Sequence, residues 1–122
     1  MNYKSIERSS QLVNELFVED LQRSLAFYTA LGFKVERSDE HFAVLRWEDS
    51  LLFLDRRKMD TRPANACMNI RIIVPDVDQY WNMAQSAGYT VFQTIDNRYY
   101  GLRDFTILDP DGFGLRFGSY IN

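Results

Sequence analysis

Apolar positions along the chain change period twice, in the same order each time. From Gln11 to Val18 they alternate loosely among β-formers, as in a strand. From Leu21 they fall at Leu21, Leu25, Tyr28 and Leu31, the spacing of one helix face. Asp20 stands where an N-cap carboxylate accepts the orphan N–H groups of the first turn, and Gly32 where a left-handed residue ends the helix. Phe33 to Glu36, Phe42 to Trp47 and Ser50 to Asp55 read as strands, the last two joined by a tight hairpin at Glu48-Asp49-Ser50. Asn69 to Val74 then opens the second series. Asp76 caps a helix whose apolar face is Val77, Tyr80, Trp81, Ala84 and Ala87, and Gly88 stops it. Tyr89 to Thr94 is a strand, followed by a polar and aromatic loop to Gly101. Arg103 to Leu108 and Phe113 to Gly118 close the series around the Asp109-Pro110-Asp111-Gly112 turn.

The two series align residue by residue. An offset of 56 sets Val18 on Val74, Asp20 on Asp76, Gly32 on Gly88 and Val35 on Val91. An offset of 63 sets Phe42-Ala43-Val44-Leu45 on Phe105-Thr106-Ile107-Leu108 and Phe53 on Arg116, so the second copy carries a seven-residue insertion near Asp96 to Gly101. A repeat of this length fixes the architecture before any single element does. The expected fold is α+β: two tandem β-α-β-β-β modules whose sheets curve round a cleft. Module 1 spans about 11–56, a linker without apolar period 57–67, and module 2 about 68–118, in one domain over 1–122, with 1–10 a polar arm. One face of each sheet takes its helix. The other stays partly apolar, with Phe17 and Phe53 in one copy and Ile73 in the other, and ligand sites form where such units meet.

Composition narrows the partners. At 122 residues and 46% hydrophobic content the chain can bury a core, and a net charge of −3 speaks against nucleic acid or an anionic membrane as the main partner. One cysteine, Cys67, excludes an internal disulfide and fits a reducing, cytoplasmic setting, and no apolar run approaches a membrane span.

Phe17-Val18-Glu19-Asp20-Leu21 through Phe27-Tyr28, with Leu31-Gly32-Phe33 and the closing Asp109-Pro110-Asp111-Gly112, resembles the vicinal-oxygen-chelate superfamily of glyoxalase I, extradiol dioxygenases and bleomycin resistance proteins. The resemblance runs from Gln11 to Gly118. It implies a divalent ion in catalytic members, held by His, Gln or Glu at the first and last strand of each module. The repeat maps those four slots onto Val13, Phe53, Asn69 and Arg116. Two are apolar and one is a permanent cation without a lone pair, so no metal and no cofactor are expected. That pattern is similar to the bleomycin resistance branch, whose homodimers sequester a drug without turnover. The alternative is a metal-dependent lyase or dioxygenase of the glyoxalase type.

The expected ligand-binding residues are Trp47, Phe53 and Tyr100 as apolar or stacking walls, with Tyr99 beside Tyr100, and Asn69, Arg71 and Arg116 as polar anchors. Arg71 lies two residues from Asn69 and so shares its face. For the two guanidiniums, an anionic ligand and an internal ion pair, with Glu15 as the partner, stand as open alternatives. His41 reads as a solvated loop residue, Cys67 as a small structural thiol, Trp81 as core, and Asp109 and Asp111 as turn formers rather than paired acid–base carboxylates.

Overall fold

The computed structural model describes residues 13–58 and 69–121. Contacts divide the chain into two compact units, 1–59 and 60–122, each built on its own four-stranded sheet. The first runs β1 (Asn14–Val18), α1 (Leu21–Leu31), β2 (Lys34–Ser38), β3 (Phe42–Trp47) and β4 (Ser50–Arg56). The second runs β5 (Asn69–Ile73), α2 (Val77–Ala87), β6 (Val91–Asn97), β7 (Leu102–Leu108) and β8 (Gly114–Tyr120). Both sheets have the same order, first strand, last strand, third, second, with the first and last parallel and the other pairs antiparallel. The duplicated β-α-β-β-β module is therefore observed, as two mixed, unclosed sheets. Residues 1–12, with the polar arm and the predicted start of the first strand, and 59–68, with most of the linker and Cys67, lie outside the described residues.

The helices begin and end where their sequence dictates. Asp20 accepts from the Arg23 N–H at 3.1 Å and Asp76 from the Asp78 N–H at 3.2 Å, and Gly88 at φ 71° is the left-handed C-terminal residue. Leu21, Tyr28 and Leu31 of α1 are buried, with Ser24 beside them. On α2, Val77 and Ala84 are buried and Tyr80 and Trp81 half-buried, whereas Ala87, expected on that face, is exposed at the helix end. Each helix covers one sheet face. Ala43, Leu45, Leu52 and Leu54 fill the covered face of the first sheet, and Phe105, Ile107, Leu115 and Phe117 that of the second; all eight are essentially inaccessible. None of the helices among the described residues is long and apolar enough to cross a membrane.

Two predicted strands are displaced. β2 starts at Lys34 and runs on to Ser38, exposed at every position, with a bulge between Val35 and Arg37. With none of its residues buried, no apolar pattern marks its end. β6 extends to Asn97 rather than stopping at Thr94. Asp96 and Asn97 pair with Asp104 and Arg103, and two register shifts absorb the extra residues. The seven-residue insertion thus lengthens the β6–β7 hairpin and leaves only Arg98 to Gly101 as its turn, closed by Arg98 N–H to Leu102 O at 2.8 Å.

Candidate functional site

The face of the second sheet opposite α2 is polar, and the strand register explains how. Alternation puts Arg71, Arg116, Thr106 and Gln93 in one row, a residue from each strand in the order β5, β8, β7, β6. Asn69 and Gly114 precede that row, and Ile73, Gly118 and Asp104 follow it. The same alternation turns Phe105, Ile107, Leu115 and Phe117 to the helix. A strand reading Leu-Arg-Asp-Phe-Thr-Ile-Leu therefore sends Asp104 and Thr106 to this face, where both are fully buried.

Asp104 is the hub. Arg98 Nε donates to its Oδ1 at 2.8 Å, and Tyr100 Oη and Arg71 Nη1 donate to its Oδ2 at 2.5 and 3.3 Å. Burial pushes the Asp104 carboxyl up. The Tyr100 and Arg98 hydrogen bonds and the charges of Arg116 and Arg98 outweigh this and hold it below its ordinary range. The insertion delivers two of these partners: the turn after β6 throws Arg98 and Tyr100 back over the sheet, and Arg98 also donates to Thr94 O at 2.5 Å. Arg71 in turn lies 5.6 Å from the centre of the Tyr100 ring.

Arg116 is held differently. Its Nε donates to Thr106 Oγ1 at 2.8 Å and its Nη2 to Gln93 Oε1, both neutral acceptors. Arg71 and Arg98 thus donate to Asp104, while the Arg116 guanidinium acts on that carboxylate only through its charge. Gly114 and Gly118, on either side of Arg116 on this face, leave it without flanking side chains. A Cβ on Gly114 would lie 1.9 Å from Asn69 Oδ1, so the Asn69 carboxamide is laid across that glycine. Asn69 is exposed and its carboxamide can swing aside, so Gly114→Ala is expected to cost no more than about 1 kcal/mol. The Asn69→Ala/Gly114→Ala double variant should recover most of it. Urea unfolding of the four proteins of that cycle checks the coupling, and additive losses would contradict it.

Among the expected site residues, Asn69, Arg71, Arg116 and Tyr100 come together on this one face. Arg71 forms an ion pair with Asp104, which projects from the same sheet two strands away. Tyr100 is anchored through its hydroxyl and keeps a partly exposed ring, while Tyr99 is fully exposed. Trp47 and Phe53 do not share a wall. Trp47 pairs with Ser50 and Phe53 with Val44, positions of opposite parity on the hairpin. Trp47 turns to the helix side, packs on Phe33 at 5.1 Å and sits under Gly32; Phe53 turns to the other face, 5.3 Å from Phe42. Sequence reasoning missed Asp104, Thr106, Gln93 and Arg98. Polar residues at alternate positions of an otherwise apolar strand were the available signal for the first two.

The remaining candidates take structural places. His41 is exposed, with its N–H on Asp39 Oδ1 at 2.8 Å. Asp109 Oδ1 accepts from the N–H groups of Asp111 and Phe113 at 2.9 and 2.8 Å, the bonds of a turn former. Trp81 packs edge-on against Phe105 at 5.2 Å. At the slots to which the resemblance assigns metal ligands, the second sheet carries one amide, Asn69, and one guanidinium, Arg116, and in the first unit the corresponding residues are Val13 and Phe53. Among the described residues no three His, Cys, Asp or Glu side chains converge. Neither pair suits a divalent ion, which needs several oxygen or imidazole ligands.

Comparisons with known proteins bear on the whole chain. No curated protein matches it significantly. Solved structures do. A glyoxalase/bleomycin resistance protein/dioxygenase from Nocardioides superposes with TM-score 0.81 at 15% identity, covering 97% of this chain and 87% of that one. A hypothetical protein from S. aureus gives 0.76 at 25% identity, covering 93% and 95%. A bleomycin resistance determinant encoded on the transposon Tn5 gives 0.75 at 21% identity, covering 93% and 100%. At such identities these neighbours speak for the fold. The sequence itself matches a family model over residues 10–117. With both agreeing, the chain belongs to the Glyoxalase/Bleomycin resistance protein/Dioxygenase superfamily.

Proposed function

We propose that the protein is a metal-free small-molecule binding protein resembling bleomycin resistance proteins, which as a cytoplasmic homodimer sequesters a drug or metabolite without turning it over. The observation that carries this reading is the arginine at 116. A lyase or dioxygenase of this superfamily polarises an oxygen of its substrate with a Lewis acid. Here the closing-strand slot holds a cation that donates to Thr106 and Gln93 and would repel a metal ion. The nearby carboxylate cannot replace it, since both Asp104 oxygens already accept from Arg98, Arg71 and Tyr100. What the face does offer is a set of fixed polar groups beside a partly exposed aromatic ring, the means of holding a ligand rather than of cleaving one.

The test is metal content and thermal stability. Protein purified without chelator is expected to carry far less than one divalent ion per chain. Its melting temperature should not move on adding zinc, manganese, nickel or iron(II), because an ion bound to the native state at a hundred times its Kd would add about 2.7 kcal/mol. One tightly held ion per chain, with a rise in melting temperature, would instead favour the glyoxalase-type enzyme. Light scattering separately tests the homodimer.

A further inference from the structure

We infer that the face of the β5–β8 sheet opposite α2 is a recognition site for an organic oxoanion, a carboxylate or phosphate carried on an aromatic or conjugated body, gripped by Arg71 and Arg116. The inference rests on the reading that this face holds a small molecule, and it names the class. Arg71 and Arg116 are direct register partners on adjacent parallel strands. Such strands lie about 4.8 Å apart, and like charges placed opposite each other destabilise a sheet. The fold compensates only half of the pair: Arg71 reaches Asp104, whereas Arg116 is bonded to a hydroxyl and an amide. Asp104 is shared with Arg98, so among the described residues one carboxylate receives hydrogen bonds from two of the three guanidiniums and Arg116 has no carboxylate bonded to it. This is an excess of positive charge even with Asp96 opposite Asp104 on β6.

Three features show that the excess serves a ligand better than it serves the fold. First, each arginine retains unused donors. Arg71 Nε and Nη2, an edge that matches a forked oxoanion, and Arg116 Nη1, a single further donor, carry no hydrogen bond among the described residues. Second, a neutral polar group is brought beside the pair: glycines sit at both same-face neighbours of Arg116 with no positive φ to require them, and the room over Gly114 is taken by the Asn69 carboxamide. Third, the donors are preorganised. Thr106, fully buried, and Gln93 fix Arg116, while Asp104 and Tyr100 fix Arg71, so little side-chain freedom remains to be lost on binding. The Tyr100 ring, 42% exposed next to Arg71, supplies a flat surface for the body of the ligand, and the Asn69 carboxamide supplies a neutral contact.

The test uses benzoate, phenyl phosphate and the uncharged benzamide, titrated into the full chain at constant ionic strength set with chloride. Binding is followed by calorimetry and by the arginine Nε–H resonances. At least one anion should bind and shift the Arg71 and Arg116 signals, its identity distinguishing carboxylate from phosphate, while benzamide leaves them unmoved. Arg116→Met should weaken that anion by about ten- to a hundredfold, Arg116→Lys by less, and added salt should weaken the wild type. The wild-type resonance test stands even if a variant folds poorly. Equal binding of benzamide and benzoate, no perturbation by either anion at millimolar concentration, or anion binding indifferent to Arg116→Met would each overturn the proposal. Those failures leave the sequestration reading intact where an uncharged or cationic compound binds instead. A stoichiometric metal ion would undo that reading, whatever the anions do.

Discussion

An Asp104→Ala variant is expected to lose about 3–5 kcal/mol of stability, the range for breaking a buried ion pair by removing one partner. The carboxylate is inaccessible and answers three donors. Without it Arg98, only 17% exposed, keeps a buried charge with carbonyl oxygens alone, and the Tyr100 hydroxyl loses its acceptor. Three guanidiniums would then face one another without the carboxylate that now lies among them. Since a domain has about 5–15 kcal/mol in total, urea unfolding should show a large shift or no folded state at all. Asp104→Asn, which keeps an acceptor and removes the charge, should lose less. An alanine variant within about 1 kcal/mol of wild type would mean that the network is solvated and contributes little.

The same carboxylate fixes how stability responds to acid. Its folded pKa lies below the unfolded value of about 3.9, so its contribution is complete above that value and fades as pH falls through the folded one. The stability gap between wild type and Asp104→Asn should be flat from neutral pH to about pH 5 and narrow only below about pH 4. A gap that closed between pH 5 and 7 would show instead that burial wins and that Asp104 is neutral near pH 6.

Much of this arrangement was legible along the chain, for a definite reason. Helix periods, caps and the duplicated order are local signals, and they survive because each helix covers a sheet whose covered residues alternate. Asn69 and Arg116 came from the slots that the family resemblance assigns, and Arg71 from parity, which is enough to say which residues of a strand share a face. Parity applied to the β3–β4 hairpin would also have separated Trp47 from Phe53, since Trp47 pairs with Ser50 and Phe53 with Val44. Arg98 was not reachable so. It stands in the turn after β6, beyond two register shifts, and only the folded turn aims it at Asp104, six residues on. Polar networks on a sheet are closed by turns, and the direction of a turn is tertiary information.

Phe117→Ala should cost about 3–5 kcal/mol, the range for truncating a fully buried aromatic ring. Phe117 is inaccessible and stacks between Tyr80 of α2, at 4.8 Å and 17°, and Phe105 of β7, at 5.7 Å and 26°. Each such pair contributes about 0.5–1.5 kcal/mol beyond area burial, and Phe105 in turn carries Trp81, so the loss spreads along the helix–sheet contact. Phe117→Leu should lose less than half as much, because most of the volume stays filled. The residue just before it gives the contrast. Arg116 lies on the other face of the same strand, where the neighbouring Arg71 charge offsets what its bonds to Thr106 and Gln93 contribute. Arg116→Met should therefore change stability by no more than about 1 kcal/mol in either direction. Adjacent residues of β8 would thus separate the two jobs of the strand, Phe117 holding α2 and Arg116 holding the ligand. Equal destabilisation by both substitutions would mean that Arg116 is a structural residue, and that its unused donors await no ligand.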